Sequence, residues 1–297
     1  MMAWLDSLLN LACLLLGWAA WSLRGELKQR GRPATLAGTL RPVVVPTARV
    51  WFWALGAVGL LGLRALLVWH GGRASEWVPR LDLGVVSVAF PVLPGWSGLG
   101  LAMVHAVLSF GVLCTGFWLW MVLLDGLAEG GPAVNPFVQM ARSVVGPWRR
   151  WPVPVRLLGT PLVVAALWLG MEPVLVALRL LPEPAPWPAR MLQALVVGLN
   201  AWLVWKPLLT GLLLLYWLNL YIYFGSHPFW EFVGWCGRRL VAPWRRLGFQ
   251  IRQLDLTPLV LVAGVWGVSH VAEHGILFRG LDRGIPGLAE VYVMLAR

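Results

Sequence analysis

His70, His105, Glu172, His270 and His274 are ionisable residues set inside, or at the ends of, long apolar stretches of the chain. A neutral imidazole nitrogen is a common metal ligand, and histidine is also an axial ligand of haem. His270 and His274 stand four residues apart, which puts both rings on one face of a helix and suits chelation. On the span assignment given below, His70 ends the second apolar stretch and His105 lies one turn into the third. Glu172 lies about two turns from the outer end of the fourth, and His270 and His274 occupy the last turns of the sixth. All five then converge on one leaflet, where an ionisable group inside a membrane is costly and points to function. Glu172 precedes Pro173, which frees a backbone carbonyl, and Arg179 is its candidate partner. A haem or metal bridging His105 and His270, with His274 or Glu172 in support, is one reading. The alternative is structural, because interfacial histidines need no ligand and Glu172 can pair with an arginine or histidine. The expectation is a chain without a cofactor.

No soluble-enzyme signature accompanies these residues: there is no P-loop, no G-x-G-x-x-G, no G-x-S-x-G and no H-E-x-x-H. Cys13, Cys114 and Cys236 are scattered without C-x-x-C spacing and suggest neither a disulfide framework nor a zinc site. The chain is therefore expected not to be an enzyme.

A second kind of chemistry is carried by arginines between apolar runs. The stretch from His227 to Pro258 holds Arg238, Arg239, Arg245, Arg246 and Arg252 against Glu231 and Asp255. The stretch from Asn135 to Pro161 echoes it. Asn135-Pro136-Phe137 answers His227-Pro228-Phe229, Pro147-Trp148-Arg149-Arg150 answers Pro243-Trp244-Arg245-Arg246, and Thr160-Pro161 answers Thr257-Pro258. Each copy reads as a short amphipathic helix. Phe137, Met140, Ala141 and Val144 recur at helical spacing in the first copy, and Phe229, Phe232, Val233, Cys236 and Leu240 in the second. Such helices are expected in the headgroup plane, with tryptophans at the interface and the paired arginines reaching anionic lipid phosphates. Each Thr-Pro pair is expected to start the next span, Thr as N-cap and Pro at the first helical position. Asp255 would complement the positive end of that last helix or pair with Arg252 or Arg245.

These residues, in this order and each flanked by apolar segments, resemble the YggT family of small integral membrane proteins. The likeness is carried by Pro228-Phe229, Pro243, Arg245-Arg246 and Asp255-Leu256-Thr257-Pro258, and covers roughly residues 100 to 180 and 200 to 278. His227 stands where the family usually has Asn, the first copy lacks the Asp, and the first hundred residues have no counterpart. The resemblance implies a role in cell-envelope or division processes; plastid relatives imply assistance in haem attachment to a b-type cytochrome.

Composition fixes the class. With 59% hydrophobic and 12% charged residues, against about a quarter charged in soluble domains, the chain is an integral membrane protein. A net charge of +11 sits in loops between apolar runs, which favours topology signalling and anionic lipid over nucleic acid. The first run, Ala3 to Leu23, is followed by Arg24, Lys28, Arg30, Arg32, Arg41 and Arg49, so it reads as a retained anchor with its N-terminus outside. Further spans are expected at Val50 to Trp69, Leu99 to Leu124, Leu157 to Leu180, Trp187 to Leu218 and Thr257 to Phe278. This six-span arrangement puts every arginine-rich loop on the cytoplasmic side and both termini outside. The loop Gly71 to Gly98 would be external, and the tail Gly284 to Arg297 an external interfacial helix.

The expectation is thus an all-α polytopic protein of the inner (plasma) membrane, with six transmembrane helices and two cytoplasmic interfacial helices. Its parts are 1-98, an N-terminal pair of spans; 99-180, a first YggT-like unit; and 181-297, a second. It would act as a scaffold or assembly factor, with membrane lipids and other membrane proteins as partners. A haem- or metal-binding subunit and a small-solute or ion transporter are the alternatives, the latter favoured by the repeat and by Glu172.

Overall fold

The structure is a computed structural model that describes residues 2–30, 47–75, 77–182, 186–251, 254–277 and 284–296. Arg32, Arg41, Arg252 and Phe278 lie outside the described residues. The described residues are all-α apart from three two-stranded ribbons. Its helices are α1 (Met2–Arg30), α2 (Thr47–Ser75), α3 (Gly95–Leu127), α4 (Pro136–Val145), α5 (Val153–Ala177), α6 (Trp187–Asn200), α7 (Lys206–Tyr221), α8 (Pro228–Val241), α9 (Thr257–His274) and α10 (Leu288–Ala296).

Among the described residues five stretches are long and apolar enough to cross a membrane: Met2–Leu23, Val50–Ser75, Gly95–Leu127, Val153–Ala177 and Trp187–Tyr221. The sixth expected span falls on α9, which is not one of them. Its 18 residues would rise about 27 Å, against a hydrocarbon thickness of about 30 Å, and His270, Glu273 and His274 crowd its last turn. The fifth stretch is interrupted. Pro207 offers no N–H to the carbonyl four residues back, and a 3-10 turn, Ala201–Trp205, separates α6 from α7. There the Val204 carbonyl accepts from the Trp120 indole at 2.7 Å.

The start of α5 corrects the expected Thr160-Pro161 cap. The helix begins at Val153, behind Pro152, and carries Pro161 and Pro173 in its interior. An internal proline leaves the carbonyl four residues earlier without its donor. That carbonyl, of Leu157, accepts instead from the Thr160 hydroxyl at 2.8 Å and from the Trp202 indole at 3.3 Å. Next to this point α6 passes so close that a Cβ on Gly198 would lie 2.2 Å from the Pro161 carbonyl oxygen, an approach only glycine allows. In α9, Thr257 is likewise the first helical residue rather than the cap. The capping oxygen comes from Asp255, whose Oδ1 accepts the Thr257 N–H at 3.0 Å.

Packing groups the helices into two compact units, with the division passing through α3 between Thr115 and Gly116. One unit comprises Met1–Leu81 and Val88–Thr115. It packs α1 on α2 and closes on small residues, Ala65, Ala102 and Ala106, which let helix backbones approach. The other comprises Asp82–Ser87 and Gly116–Arg297. Its main core is formed by the end of α3 with α4, α7 and α8, through residues such as Val122, Val138, Ala141, Leu213, Val233 and Cys236. The boundaries drawn from motif order at 98 and 180 fall inside these packed groups.

Candidate functional site

The two arginine-bearing segments are built alike. Asn135 caps α4, its Oδ1 accepting the Phe137 N–H at 3.0 Å, and Pro136 takes the first helical position, where a missing N–H costs nothing. His227 does the same for α8, its Nδ1 accepting the Phe229 N–H at 3.2 Å ahead of Pro228. The two helix starts also meet. Asn135 Nδ2 donates to the Pro228 carbonyl at 2.8 Å, and Phe137 lies against Phe229 and Phe232 with ring centroids 5.5 and 5.8 Å apart. Each helix runs into a 3-10 turn that carries its arginine pair, Gly146–Arg150 and Ala242–Leu247.

The apolar stripes of α4 and α8 are occupied by protein. Ala141, Val233, Cys236 and Val241 are fully buried, and Phe137, Met140, Val144 and Leu240 pack on the same core. The expected headgroup-plane helices therefore spend their apolar faces on α3, α7 and one another. Close packing shows at Gly237, where a Cβ would stand 2.2 Å from Tyr216 Cγ. Burial pushes the Cys236 thiol up to about 12, so it is inert at neutral pH.

Beside this core the first segment's arginines line a cleft of about 370 Å³ with Asp125 and Glu129 from the end of α3. Asp125 is buried and receives the equally buried Arg156 of α5 through Nη1, while Arg149 Nε stands 3.5 Å from its other oxygen. Glu129 receives Arg156 at 3.7 Å and Arg239 of α8 at 3.4 Å, and its backbone carbonyl accepts from Arg239 Nη1. Arg156 Nε is buried and finds no hydrogen-bond partner among the described residues, and Arg150 carries no ion pair there. In the second segment Arg245 donates instead to the Tyr216 hydroxyl at 3.1 Å, and Arg246 is exposed.

The first unit holds a charge network of its own. Arg64 of α2 is completely buried, and all five of its N–H donors are used. Nε and Nη2 fork onto the Asp6 carboxylate at 2.6 and 2.8 Å, Nη2 also reaches Ser109 Oγ at 2.9 Å, and Nη1 donates to Asn10 Oδ1 at 3.0 Å and the Ala106 carbonyl at 3.1 Å. Three helices are thereby fastened to one guanidinium.

No known protein family, curated protein or solved structure matches this chain. Its function is accordingly read from its own residues.

Of the ionisable residues first singled out, His105 is buried in the first unit, edge-on to Phe90 at 5.2 Å, with Nδ1 unpartnered among the described residues. His70 is exposed. His270 and His274 belong to the second unit; they stack at 4.5 Å on one face of α9, as their spacing requires, and both are exposed. Among the described residues no three His, Cys, Asp or Glu side chains cluster as a metal site. Glu172 is buried, and its partner is Arg190 of α6 at 3.2 Å rather than Arg179. Arg179 sits past the end of α5 at φ 57, in the left-handed turn that ends the helix, whereas α6 packs alongside α5 and brings Arg190 to the carboxylate. Burial, with the nearby Glu172 charge, pushes Tyr292 up to about 12. Of the partners expected for Asp255, Arg245 is engaged by Tyr216, and Asp255 instead donates its N–H to the Tyr221 hydroxyl at 2.6 Å.

Sequence reading passed over Arg64, Asp6, Asn10, Asp125 and Arg156. A signal for the first was present: a single arginine in the apolar run Gly59 to Trp69 has to find an acceptor.

Proposed function

We propose that this protein is a non-enzymatic membrane scaffold or assembly factor of the YggT type, acting in cell-envelope, division or membrane-complex biogenesis at the inner membrane. In this reading the two Pro-Phe and Pro-Trp-Arg-Arg segments are copies of one motif. They form a single cytoplasmic platform whose arginines touch anionic headgroups and whose remaining surface receives other membrane proteins. The observation that carries the reading is the meeting of the two helix starts, Asn135 on Pro228 and Phe137 on Phe229 and Phe232. It ties both arginine pairs to one apolar core. A platform of this kind needs rigidity and charge but no reacting group, in keeping with ionisable residues that pair with one another around the cleft.

Affinity purification of the tagged full chain from its native membrane, in a mild detergent, tests the platform. The wild type is expected to bring down a defined set of membrane proteins, which Phe137→Ala with Phe229→Ala loses. Recovery of the chain alone, together with solute flux in proteoliposomes, would favour a transporter and overturn the scaffold.

The reading also carries six spans, with α9 completing the sixth through a local thinning of the bilayer. Ala74→Cys and Ser226→Cys, both at exposed positions, are expected to react with an impermeant thiol reagent from opposite sides, Ser226→Cys from the cytoplasm. Labelling of both from one side would end the six-span arrangement. The buried Cys236 is expected to stay silent in this assay.

A further inference from the structure

We propose that the cleft between the end of α3, the Gly146–Arg150 turn and the first turns of α5 is a site for the phosphate of an anionic phospholipid. Three guanidinium groups, of Arg149, Arg150 and Arg156, face two carboxylates there, of Asp125 and Glu129, so the cleft keeps a net charge of +1. The carboxylates act as holders. Asp125 and Glu129 grip the buried Arg156 from two sides and leave its Nε without a partner among the described residues. A guanidinium fixed in this way sets a held positive charge in the cleft wall beside the exposed Arg149 and Arg150, whose forks can reach a phosphate oxygen. Arg150 adds a charge that no carboxylate of the described residues neutralises.

Size and surroundings choose the lipid over a small ion. The cleft holds about 370 Å³, many times the roughly 30 Å³ share of a water molecule, which leaves room for a headgroup and its glycerol. At Gly146 a Cβ would meet nothing within 4 Å, so that wall is open. Beyond Trp151, which is itself exposed, Val155, Leu158 and Leu162 of α5 are 47%, 63% and 62% exposed. Their i, i+3, i+7 spacing makes one apolar stripe on α5, the helix that carries Arg156. Acyl chains lying along this stripe would put the lipid phosphate at the cleft, a continuity that free phosphate does not use.

The inference rests on the membrane reading above, and its test is independent of orientation. Purified full-length chain in a neutral detergent is presented with phosphatidylglycerol, with phosphatidylcholine of the same acyl chains, or with inorganic phosphate, and bound species are read by native mass spectrometry. A single phosphatidylglycerol is expected to be retained in preference to phosphatidylcholine. Arg149→Gln with Arg150→Gln is expected to weaken it about 30-fold, at about 1 kcal/mol per charge and tenfold per 1.4 kcal/mol. Arg150→Gln alone, which breaks no ion pair of the described residues, is expected to weaken it about fivefold and guards against a folding defect in the double variant. Arg245→Gln with Arg246→Gln is expected to leave it unchanged. Equal losses from the two pairs would reduce the site to diffuse charge, and equal retention of the two lipids would remove the phosphate's role. Inorganic phosphate bound without competition from lipid would make it a soluble-anion site. Each of these outcomes overturns the proposal, while the labelling result for Ala74→Cys and Ser226→Cys stands regardless.

Discussion

Asp6→Leu is expected to destabilise the first unit by about 3 to 5 kcal/mol, and Asp6→Leu with Arg64→Met by clearly less than that. Arg64 has no exposed surface and cannot shed its proton, so losing the carboxylate leaves a buried cation with only neutral acceptors, Asn10, Ser109 and the Ala106 carbonyl. Arg64→Met alone strands a carboxylate instead, but the Asp6 side chain is 15% exposed and can draw in water, so its cost should be smaller. Removing both charges replaces the pair by apolar volume in an already apolar bundle, which is neutral or favourable in comparable cases. Thermal unfolding of the four proteins in one detergent, followed by tryptophan fluorescence, gives the cycle directly. Additive losses would mean that Asp6 and Arg64 are not coupled and that the bundle is held by packing alone.

The same pair shows why parts of this fold are legible in sequence and others are not. Apolar runs announce themselves over twenty residues, so spans such as Gly95–Leu127 are seen without knowing their neighbours. The capped helix starts are equally local: Asn135-Pro136 and His227-Pro228 each carry cap and first turn within three residues. Arg64 and Asp6 lie 58 positions apart, and nothing at either position names the other. Thr160-Pro161 misled for the opposite reason. Locally it has the form of a helix start, but Pro152 and Pro154 had already begun α5, and the Thr160 hydroxyl and the Trp202 indole repair the carbonyl that Pro161 frees.

The candidate site divides along the same line. The arginines of the Gly146–Arg150 turn were visible as a charged motif, and lipid phosphate was their expected partner. That Arg149 would share Asp125 with Arg156, and that Glu129 would join Arg156 to Arg239 of α8, depends on α3, α5 and α8 converging. Amphipathic periodicity predicted apolar faces for α4 and α8 without saying what covers them. A stripe such as Ala141 and Val145 fits a bilayer surface or a protein core equally well, and here it is buried in the core of the second unit. Charge pattern and periodicity therefore located the two arginine-bearing segments, and long-range pairing decided which groups they touch.

Asp125→Asn is expected to move stability and lipid binding in opposite directions. The substitution keeps the side chain's shape but removes the carboxylate to which the buried Arg156 and the half-exposed Arg149 are bound. Arg156, only 3% exposed, is then left with Glu129 at 3.7 Å, a carboxylate that is 53% exposed and correspondingly screened. A loss of about 3 kcal/mol follows, at the low end for a broken buried pair because this second carboxylate remains. Glu129→Gln, by contrast, removes only the half-exposed, screened carboxylate and leaves Arg156 paired with Asp125, and should cost under about 1 kcal/mol. The cleft's net charge meanwhile rises from +1 to +2, three arginines against one carboxylate instead of two. Because the amide oxygen of Asp125→Asn can still accept from Arg156 Nη1 and keep it placed, the folded variant should hold phosphatidylglycerol more tightly than wild type, and the added lipid should raise its unfolding temperature by more than it raises that of wild type. A variant that is destabilised and gains nothing from the anionic lipid would show that Asp125 holds the fold without setting the charge of a binding site.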